Sequence, residues 1–309
     1  MLAVTILGNN SALPAYDRHP TSQVVTLDDN LFLVDCGEGT QQQLAKYRIR
    51  WSRINYIFIS HLHGDHYFGL PGFLHSMGLL HREHELHLFA PAPLKQILDL
   101  QLEAASNHLP YTLHFHALEE DGVIVQNDKF KVTCFSTKHR IPCWGFRFDQ
   151  VRAPRRVNPE KAIEYGVPAA FYDRLKWGED YTTKAGELIK NEWVTNPGVK
   201  PLSYAYSADT IFDESLIEKV QDVDLLYHET TYLKDLEKRA ELRFHSTTTQ
   251  AACIAKGANV GRLLIGHFSS KYDKLDIFEQ EACEVFPDTS LALEGVTFRA
   301  IPPSPLKGE

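Results

Sequence analysis

Short apolar runs separated by turn residues recur along most of the chain. Four runs in the first sixty residues are rich in β-branched or aromatic residues and are bounded by Gly, Asn, Asp or Ser, which is typical of strands. Eight further runs share this pattern. We therefore predict strands at 2–7, 23–27, 31–35, 55–60, 86–90, 113–117, 130–136, 144–148, 202–206, 223–227, 261–265 and 290–293.

Apolar residues at helical spacing predict helices between these strands. Leu44, Tyr47 and Ile49 share an apolar face, and Thr40 is a candidate cap for their helix. Strands in both halves of the chain, each followed by helices, indicate two sheets packed face to face with helices outside. The predicted helices span 38–49, 93–104, 159–165, 168–176 and 246–257.

Residues 150–200 differ from the rest of the chain. They carry several Pro and Gly, near-balanced charges and only short helix candidates, so we interpret them as an insertion projecting from the core. The best basic cluster here consists of Arg152, Arg155 and Arg156, with Lys161 nearby. Such a cluster is usually a solvated surface, but on an acidic chain it is the first candidate for phosphate contacts.

The composition is that of an ordinary globular protein with an acidic balance. The 309 residues are 43% hydrophobic and 23% charged, with a formal net charge of −8. No apolar run approaches the roughly 18–20 residues of a membrane span, and the N-terminus lacks the features of a signal peptide. We therefore expect a cytoplasmic protein without a membrane partner, with a frayed tail from Pro302. The acidity counts against non-specific wrapping of nucleic acid, although bound metal or a basic patch would oppose it locally.

The five cysteines are scattered and form no CxxC pair. This argues against a disulfide framework and against a thiolate zinc site. We interpret all five as small buried residues.

The densest group of chemically active residues is HLHGDH at 61–66, directly after the apolar run NYIFI. Imidazole and carboxylate groups are the zinc ligands of proteins when cysteine is not used. Four potential ligands in six residues are too dense for one tetrahedral ion, but they suit two ions a few ångströms apart. Gly64 would let the backbone turn sharply between the ligand pairs.

Two ions need further ligands from other strand ends. His139, Asp209 and His267 each follow an apolar run, and Asp209 has two oxygens with which to bridge both ions. The spacing alone leaves ordinary histidines and a turn aspartate equally open. We interpret seven other histidines as surface or partly packed residues: His75, His81, His84, His87, His108, His114 and His116.

Seven longer motifs extend this pattern. HxHxDH is the signature of the metallo-β-lactamase superfamily, and the full set occurs in the order found in ribonuclease Z, so residues 1–300 resemble that family. The motifs are DCGEGTQQQL (35–44), ISHLHGDHYFGLPGFL (59–74), STKHRIPCWGFRF (136–148), YSADT (206–210), LLYHETTY (225–232), FHSTTTQAA (244–252) and LLIGHFSSKY (263–272). The resemblance implies an α/β fold, a four-layer αββα metallo-β-lactamase sandwich, in a single domain over 1–309 with an inserted arm at about 150–200.

The resemblance also implies two zinc ions per subunit. One would be held by His61, His63, His139 and Asp209, and the other by Asp65, His66, Asp209 and His267. Asp35 matches the first motif and would orient a ligand imidazole. Asp65 would also be the general base, and Glu229 would pair with His245, the general acid or transition-state stabiliser. On the residues alone, the ordinary interpretations are favoured: Glu229 as a surface carboxylate near a strand end, and His245 as a helix-start residue beside Ser246, a plausible N-cap. The paired family motif reverses this preference.

The implied activity is that of an endoribonuclease, a phosphodiesterase that removes the 3′ trailer from precursor tRNA and leaves a 3′-hydroxyl on the tRNA. A homodimer without a nucleotide cofactor is implied as well. The region from Gly166 to Tyr172 lacks the Gly/Pro-rich tip of family arms, and the N-terminal loop lacks the usual Gly-rich form. These departures and the acidity leave a second hypothesis, a hydrolase of small phosphodiesters or related esters. A metal-bound scaffold without catalysis ranks last, because every expected ligand is present.

Overall fold

Twenty strands and eleven α-helices alternate along the residues that the computed structural model describes, which are 1–105, 108–198 and 200–301. The predicted fraying from Pro302 lies outside these residues. The strands are β1 Leu2–Gly8, β2 Asn10–Ser11, β3 Ser22–Leu27, β4 Asn30–Cys36, β5 Ile54–Phe58, β6 Leu86–Pro91, β7 Leu113–Leu118, β8 Gly122–Gln126, β9 Phe130–Thr137, β10 Cys143–Gln150, β11 Arg156–Val157, β12 Tyr181–Thr182, β13 Leu188–Ile189, β14 Thr195–Asn196, β15 Ser203–Tyr206, β16 Leu225–Glu229, β17 Leu263–Gly266, β18 Phe268–Ser269, β19 Thr289–Leu291 and β20 Thr297–Arg299.

The helices are mostly short. They are α1 Thr40–Lys46, α2 Gly64–Tyr67, α3 Leu70–Leu79, α4 Pro93–Ala104, α5 Pro159–Glu164, α6 Tyr172–Lys176, α7 Asn191–Val194, α8 Leu216–Lys219, α9 Glu237–Arg243, α10 Thr248–Gly257 and α11 Asp276–Cys283. Single 3₁₀ turns span Trp51–Arg53, Ala169–Phe171 and Lys234–Leu236. No helix among the described residues is long and apolar enough to cross a membrane.

All twelve predicted strands and all five predicted helices are confirmed, with shifted ends. Thr40 does not cap α1: it is the first helical residue, after Gly39 in the left-handed region, and its hydroxyl donates to the Gly37 carbonyl at 2.7 Å. Six helices were not predicted: α2, α3, α7, α8, α9 and α11. In α9 only Ala240 of the seven residues is buried, so this helix has no apolar periodicity.

Two seven-stranded sheets form the framework, in the orders β20-β1-β3-β4-β5-β6-β7 and β19-β17-β16-β15-β10-β9-β8. Their facing surfaces enclose one apolar cluster, in which Phe32 and Phe148 approach to 5.3 Å between ring centroids and Phe58 and Phe146 to the same distance. Burying one such ring contributes roughly 1.5–3 kcal/mol. This shared core fixes the two sheets against each other.

Helices cover the outer face of each sheet. On the first sheet, Leu44 of α1, Phe73 of α3 and Leu94 of α4 join a second buried cluster. On the other, Ile254 of α10 and Phe278 of α11 join a third. The order of layers is therefore helix, sheet, sheet, helix, and the predicted four-layer αββα architecture is confirmed.

Residues 156–196 form a small hydrophobic cluster of their own. They contain α5, α6 and α7 with the two-stranded pairs β11–β14 and β12–β13. Five buried side chains make up the cluster: Ala162, Val167, Leu175, Ile189 and Val194.

All five cysteines are free, as expected. Cys36, Cys134 and Cys143 are buried. Cys253 is exposed, however, so the expectation that every cysteine is buried was wrong. The outward face of α10 carries it, because the helix buries only the side that packs on the sheet.

Candidate metal centre

The seven candidate metal ligands meet at one edge of the sandwich. Strands β9, β15 and β17 run in the same direction in the second sheet, so their carboxyl ends lie on one side. The loop after β5 of the first sheet reaches the same side. Ligand sites of α/β sheets commonly lie at such carboxyl ends. His61, His63, Asp65 and His66 follow β5, His139 follows β9, Asp209 follows β15, and His267 follows β17.

One group of ligand atoms comes from His61, His63, His139 and Asp209, all within 4.8 Å of one another. His63 Nδ1 lies 3.0 Å from His61 Nε2 and 3.1 Å from His139 Nε2. Asp209 Oδ2 lies 3.6 Å from His61 Nε2 and 3.9 Å from His139 Nε2. Zinc–nitrogen bonds of about 2.0–2.1 Å place tetrahedral ligands roughly 3.3 Å apart, so this donor set fits one zinc ion.

A second group consists of Asp65, His66 and His267, again within 4.8 Å. His267 Nε2 lies 3.2 Å from His66 Nε2 and 3.4 Å from Asp65 Oδ2. Asp209 reaches this group too, with Oδ1 3.3 Å from His267 Nε2 and Oδ2 3.6 Å from His66 Nε2. Asp209 is therefore common to both groups. Gly64 provides no sharp turn between the ligand pairs: it is the first residue of α2 and has no positive φ.

Most of these groups are held in the protonation states that bind metal. Burial, together with His66, lowers the pKa of His61 well below its ordinary value. Burial and the neighbouring His139 lower the pKa of His63 to about 4. Burial alone would raise the pKa of Asp209, but His267 and His66 outweigh it and hold that pKa well below its usual range. Neutral imidazoles and ionised carboxylates are the forms that ligate zinc.

His66 is the exception among the histidines. Burial would lower its pKa, but the carboxylates of Asp209, Asp65 and Asp35 outweigh burial and raise the pKa well above the ordinary value. Three buried carboxylates around one ring need positive charge nearby. A proton on His66 and a bound cation are alternative ways of supplying it, so this charge balance also fits a metal centre.

Asp35 orients His66 from the side away from the centre. It is fully buried, and its Oδ2 lies 2.8 Å from His66 Nδ1. Tyr206 OH donates to the same oxygen at 2.6 Å, and the Ser60 N–H donates to Oδ1 at 2.7 Å. These contacts leave Nε2 of His66 facing the other ligands, which is the arrangement that a carboxylate behind a metal-binding histidine produces.

Sequence reasoning missed the partners of the other rings. Thr231 Oγ1 lies 2.9 Å from His267 Nδ1, and Ser60 Oγ lies 3.0 Å from His61 Nδ1. His139 Nδ1 lies 2.8 Å from the Phe244 carbonyl oxygen. Thr231 and Ser60 lie within motifs that the sequence analysis singled out, which was a usable signal. Phe244 begins the motif at 244–252, but its residue type gave no signal, since only its backbone acts.

Backbone strain is concentrated around the centre. Left-handed backbone at a non-glycine residue costs on the order of 1–3 kcal/mol and persists only where surrounding contacts enforce it. Ala12 has such a backbone and holds a candidate ligand directly, because its N–H donates to Asp65 Oδ2 at 2.7 Å. Of the twelve non-glycine residues with positive φ in the described ranges, five border the centre: Ala12, Asp35, Ala208, Phe244 and His267.

Glu229 and His245 form a buried pair beside the ligands. Glu229 Oε1 lies 2.9 Å from His245 Nδ1, and the Ser246 N–H donates to the same oxygen at 3.0 Å. Burial opposes the charge on His245, but Glu229 outweighs it and raises the pKa of His245. Conversely, His245 overcomes burial and lowers the pKa of Glu229. Ser246 is not the N-cap of α10: Thr247 caps it in a capping box.

A cavity of about 320 Å³ opens over the two ligand groups. His63, Asp65 and His245 line it together with Arg140. Arg140 is exposed and was not predicted, although its position directly after His139 was a signal. A larger groove of about 600 Å³ lies beside α4 and β7, but mainly apolar side chains line it. Because the candidate ligands line the smaller cavity, this cavity is the better candidate for the active site.

The structure brings part of the basic cluster together. Arg155 and Arg156 line a groove of about 580 Å³ with Trp177, and the Arg152 guanidinium lies 5.4 Å from the centroid of the Trp177 ring. Part of the Arg155 guanidinium is already hydrogen-bonded within the protein, since its Nε donates to the Thr195 hydroxyl at 2.7 Å. Lys161 is exposed on α5, outside the residues that line this groove.

Comparisons with known proteins give a family match over about the first half of the chain and relatives over nearly its full length. The family described as Anti-Pycsar protein Apyc1 matches residues 2–152. Ribonuclease Z of Bacteroides fragilis is 44% identical over 293 residues, which cover 94% of this chain and 96% of that protein. Ribonuclease Z of Synechocystis is 36% identical over 304 residues, covering 96% and 93%.

Solved structures show the same fold. The human short-form tRNase Z superposes with a TM-score of 0.71 at 23% identity, covering 97% of this chain and 99% of that one. The metallo-β-lactamase fold protein YhfI of Bacillus subtilis superposes with a TM-score of 0.69 at 19% identity, covering 96% and 98%. The fold is therefore the metallo-β-lactamase fold.

Proposed function

This chain belongs to the ribonuclease Z family, and from that premise we propose that it removes the 3′ trailer from precursor tRNA by zinc-dependent, two-metal hydrolysis. The product is a tRNA with a 3′-hydroxyl. One observation carries the proposal: the seven candidate ligands form two adjoining groups, and four of them line a single cavity together with His245, the partner of Glu229.

Two zinc ions per subunit suit the donor set. His61, His63 and His139 would hold one, Asp65, His66 and His267 the other, and Asp209 would contribute to both. When bound, such a pair stabilises the attacking and leaving oxygens of a phosphodiester and lowers the pKa of water to about 7.

Asp65 accepts the proton of the attacking water in this proposal. Burial would raise its pKa, but His66 and a hydrogen bond from His267 lower it, so the side chain is a carboxylate at neutral pH. The Ala12 N–H fixes one carboxylate oxygen at 2.7 Å, which orients the group relative to the cavity. A positioned base of this kind contributes about 10²–10⁴-fold to the rate.

His245 is the general acid. Its Nδ1 is paired with Glu229, so in the protonated ring Nε2–H remains free to donate to the leaving oxygen. Thr231 and Ser246 also donate to Glu229, which keeps the carboxylate ionised and turned toward His245. The raised pKa of His245 supplies the protonated form near neutral pH.

Residues about 150–200 are the RNA-binding arm of a single domain spanning 1–309, with an exosite-like role. Phosphate contacts fall on the groove lined by Arg155 and Arg156, with Arg152 and Lys161 beside it. The protein acts in the cytoplasm, without a nucleotide cofactor, as a homodimer in which one subunit's arm holds RNA for its partner's site. Measuring the molar mass in solution tests this arrangement, and a stable monomer would remove it.

Cleavage of a precursor tRNA with a 3′ trailer, with the product end mapped, tests the proposal. We expect a cut just after the discriminator base, and about a 10²–10⁴-fold slower cut by Asp65→Ala. Asp99→Ala is the matched control, because Asp99 is exposed on α4 and pairs with Lys95. Equal turnover by Asp65→Ala and the parent protein would remove the general-base assignment.

A second candidate is hydrolysis of small phosphodiesters or related esters at the same centre. The net charge of −8 and the internal engagement of Arg155 favour it, since both weaken a purely electrostatic grip on RNA. It predicts turnover of chromogenic diesters together with an uncut precursor tRNA. That pair of results would keep the metal centre and change the substrate.

A further inference from the structure

A second cluster of metal-binding side chains lies away from the catalytic centre. Glu85 immediately precedes β6, His87 is in β6, and His114 lies directly opposite His87 on the edge strand β7. These residues are at the amino-terminal ends of parallel strands whose carboxyl ends face the catalytic side. None of them contributes to the proposed tRNA reaction.

The ligand atoms of Glu85, His87 and His114 all lie within 4.8 Å of one another. His114 Nε2 is 3.3 Å from Glu85 Oε2. Among the described residues that nitrogen is shielded from solvent and makes no hydrogen bond. A buried ring nitrogen without a hydrogen bond and close to a carboxylate needs an explanation, and a bound ion is one of the standard ones.

Three further contacts hold His87 in place. Its ring stacks on Tyr56, with centroids 5.3 Å apart, and on His114 at 4.8 Å. His87 Nδ1 lies 3.0 Å from His116 Nε2. When His87 donates its Nδ1–H to His116, its Nε2 keeps the lone pair that a metal requires. This is the role that an outer hydrogen-bond partner plays behind a ligand histidine.

We propose that Glu85, His87 and His114 bind one divalent transition-metal ion, with zinc as the best match, and that His116 orients His87. Two imidazoles and one carboxylate are a donor set that zinc uses when water completes a four-coordinate site. Calcium and magnesium prefer sets made of oxygen alone, so the two imidazoles select against them. The sequence-based interpretation of these three histidines as ordinary packed or surface residues is thereby revised.

The bound ion would join two neighbouring strands at the edge of the first sheet. His87 and His114 are register partners, so a shared ion ties β7 to β6 through side chains as well as through the backbone ladder. Because β7 has a neighbour on only one side, it is the strand that gains most from such a link. Zinc binding should therefore protect β7 amides from hydrogen exchange.

The zinc content per chain tests the site as a difference between variants. Protein equilibrated in a zinc buffer and freed of unbound metal would be measured by plasma mass spectrometry. We expect His114→Gln to hold one zinc fewer than the parent protein. His84→Gln is the matched control, because His84 is exposed, lies one residue before Glu85 and belongs to no ligand group.

Glu85→Gln provides a variant that leaves folding intact, since the Glu85 side chain is 66% exposed. We expect its zinc affinity at this site to be at least about tenfold weaker than that of the parent protein. Precursor tRNA cleavage should not change. Identical zinc content and identical β7 exchange in the parent, His114→Gln and Glu85→Gln proteins would overturn the site. Because the count is a difference, it stands or fails separately from the two-zinc proposal for the catalytic centre.

Discussion

The molecule carries two groups of candidate metal ligands, and their surroundings differ more than their residue types. At the candidate metal centre, at most 1% of the surface of His61, His66 or His267 is exposed, and each ring has a hydrogen-bond partner on its Nδ1. The second group, Glu85, His87 and His114, is the edge-strand cluster; in it the Glu85 side chain is 66% exposed and the His114 side chain 39% exposed. Similar side chains are thus held in one place by a complete hydrogen-bonded shell and in the other by one histidine contact and ring stacking.

This difference in surroundings predicts a difference in the affinity for metal ions. Water can solvate the exposed Glu85 carboxylate when no ion is bound, so in the empty edge-strand cluster only the shielded His114 Nε2 is left without a partner. The three carboxylates around His66 are buried, and burying such charge without a counter-ion is costly. Side chains already aimed by their neighbours also lose little freedom on binding. We therefore expect the ions at the centre to be bound more tightly than the ion at the edge.

Among three substitutions that would test this difference, removal of the proposed general acid should have the largest effect on the rate. We expect His245→Ala to lower kcat for precursor tRNA about 10²–10³-fold while KM changes much less, because the ring acts on the leaving oxygen. His116→Ala is the comparison from the edge-strand cluster, and it should leave both parameters unchanged. A fall in affinity alone for His245→Ala would contradict the assignment.

A smaller effect should follow when one orienting carboxylate is changed. Asp35→Asn presents an amide to His66 in place of a charged acceptor, so we expect zinc at the centre to bind about 10–100-fold more weakly. Competition with a chelator measures this. Asp224→Asn is a matched buried aspartate, held by Ser203 outside the ligand groups, and it separates lost stability from lost affinity. Equal zinc affinity in both variants would mean that the Asp35 contact does not tune the centre.

The smallest change should appear in the pH profile. Glu229 raises the pKa of His245 against the effect of burial, so the protonated acid persists to a pH above its ordinary range. In Glu229→Gln the strongest influence that raises this pKa is removed, while burial still lowers it and Asp209 and Asp65 raise it less, so the pKa falls. The alkaline limb of kcat/KM should therefore move to lower pH, whereas Glu85→Gln should leave the profile in place. An unchanged limb in Glu229→Gln would show that another group sets it.

Twelve of the twenty strands and five of the eleven α-helices in the described residues were predictable because their signals are local. Alternation and apolar runs reflect burial of each segment's own side chains, so the β5 pattern at 55–60 is readable without its neighbours. Helix α9 lacks that signal. No local pattern indicated that the helix predicted at 168–176 would begin only at Tyr172, after a 3₁₀ turn. The HLHGDH run was likewise readable, since its ligands are neighbours in sequence.

Contacts across the chain were decided by the tertiary structure alone. His66 and His267 are 201 positions apart, and the ends of two parallel strand systems bring them to 3.2 Å. Thr231 and the Phe244 carbonyl became partners of ligand rings, and His87 met His114, only through strand register and loop closure. The sequence by itself thus determined the elements and the chemistry of HLHGDH, because hydrophobic periodicity and ligand density are local properties. Which distant donors complete each cluster depends on how the sheets pack and register, and no segment of the chain encodes that in isolation.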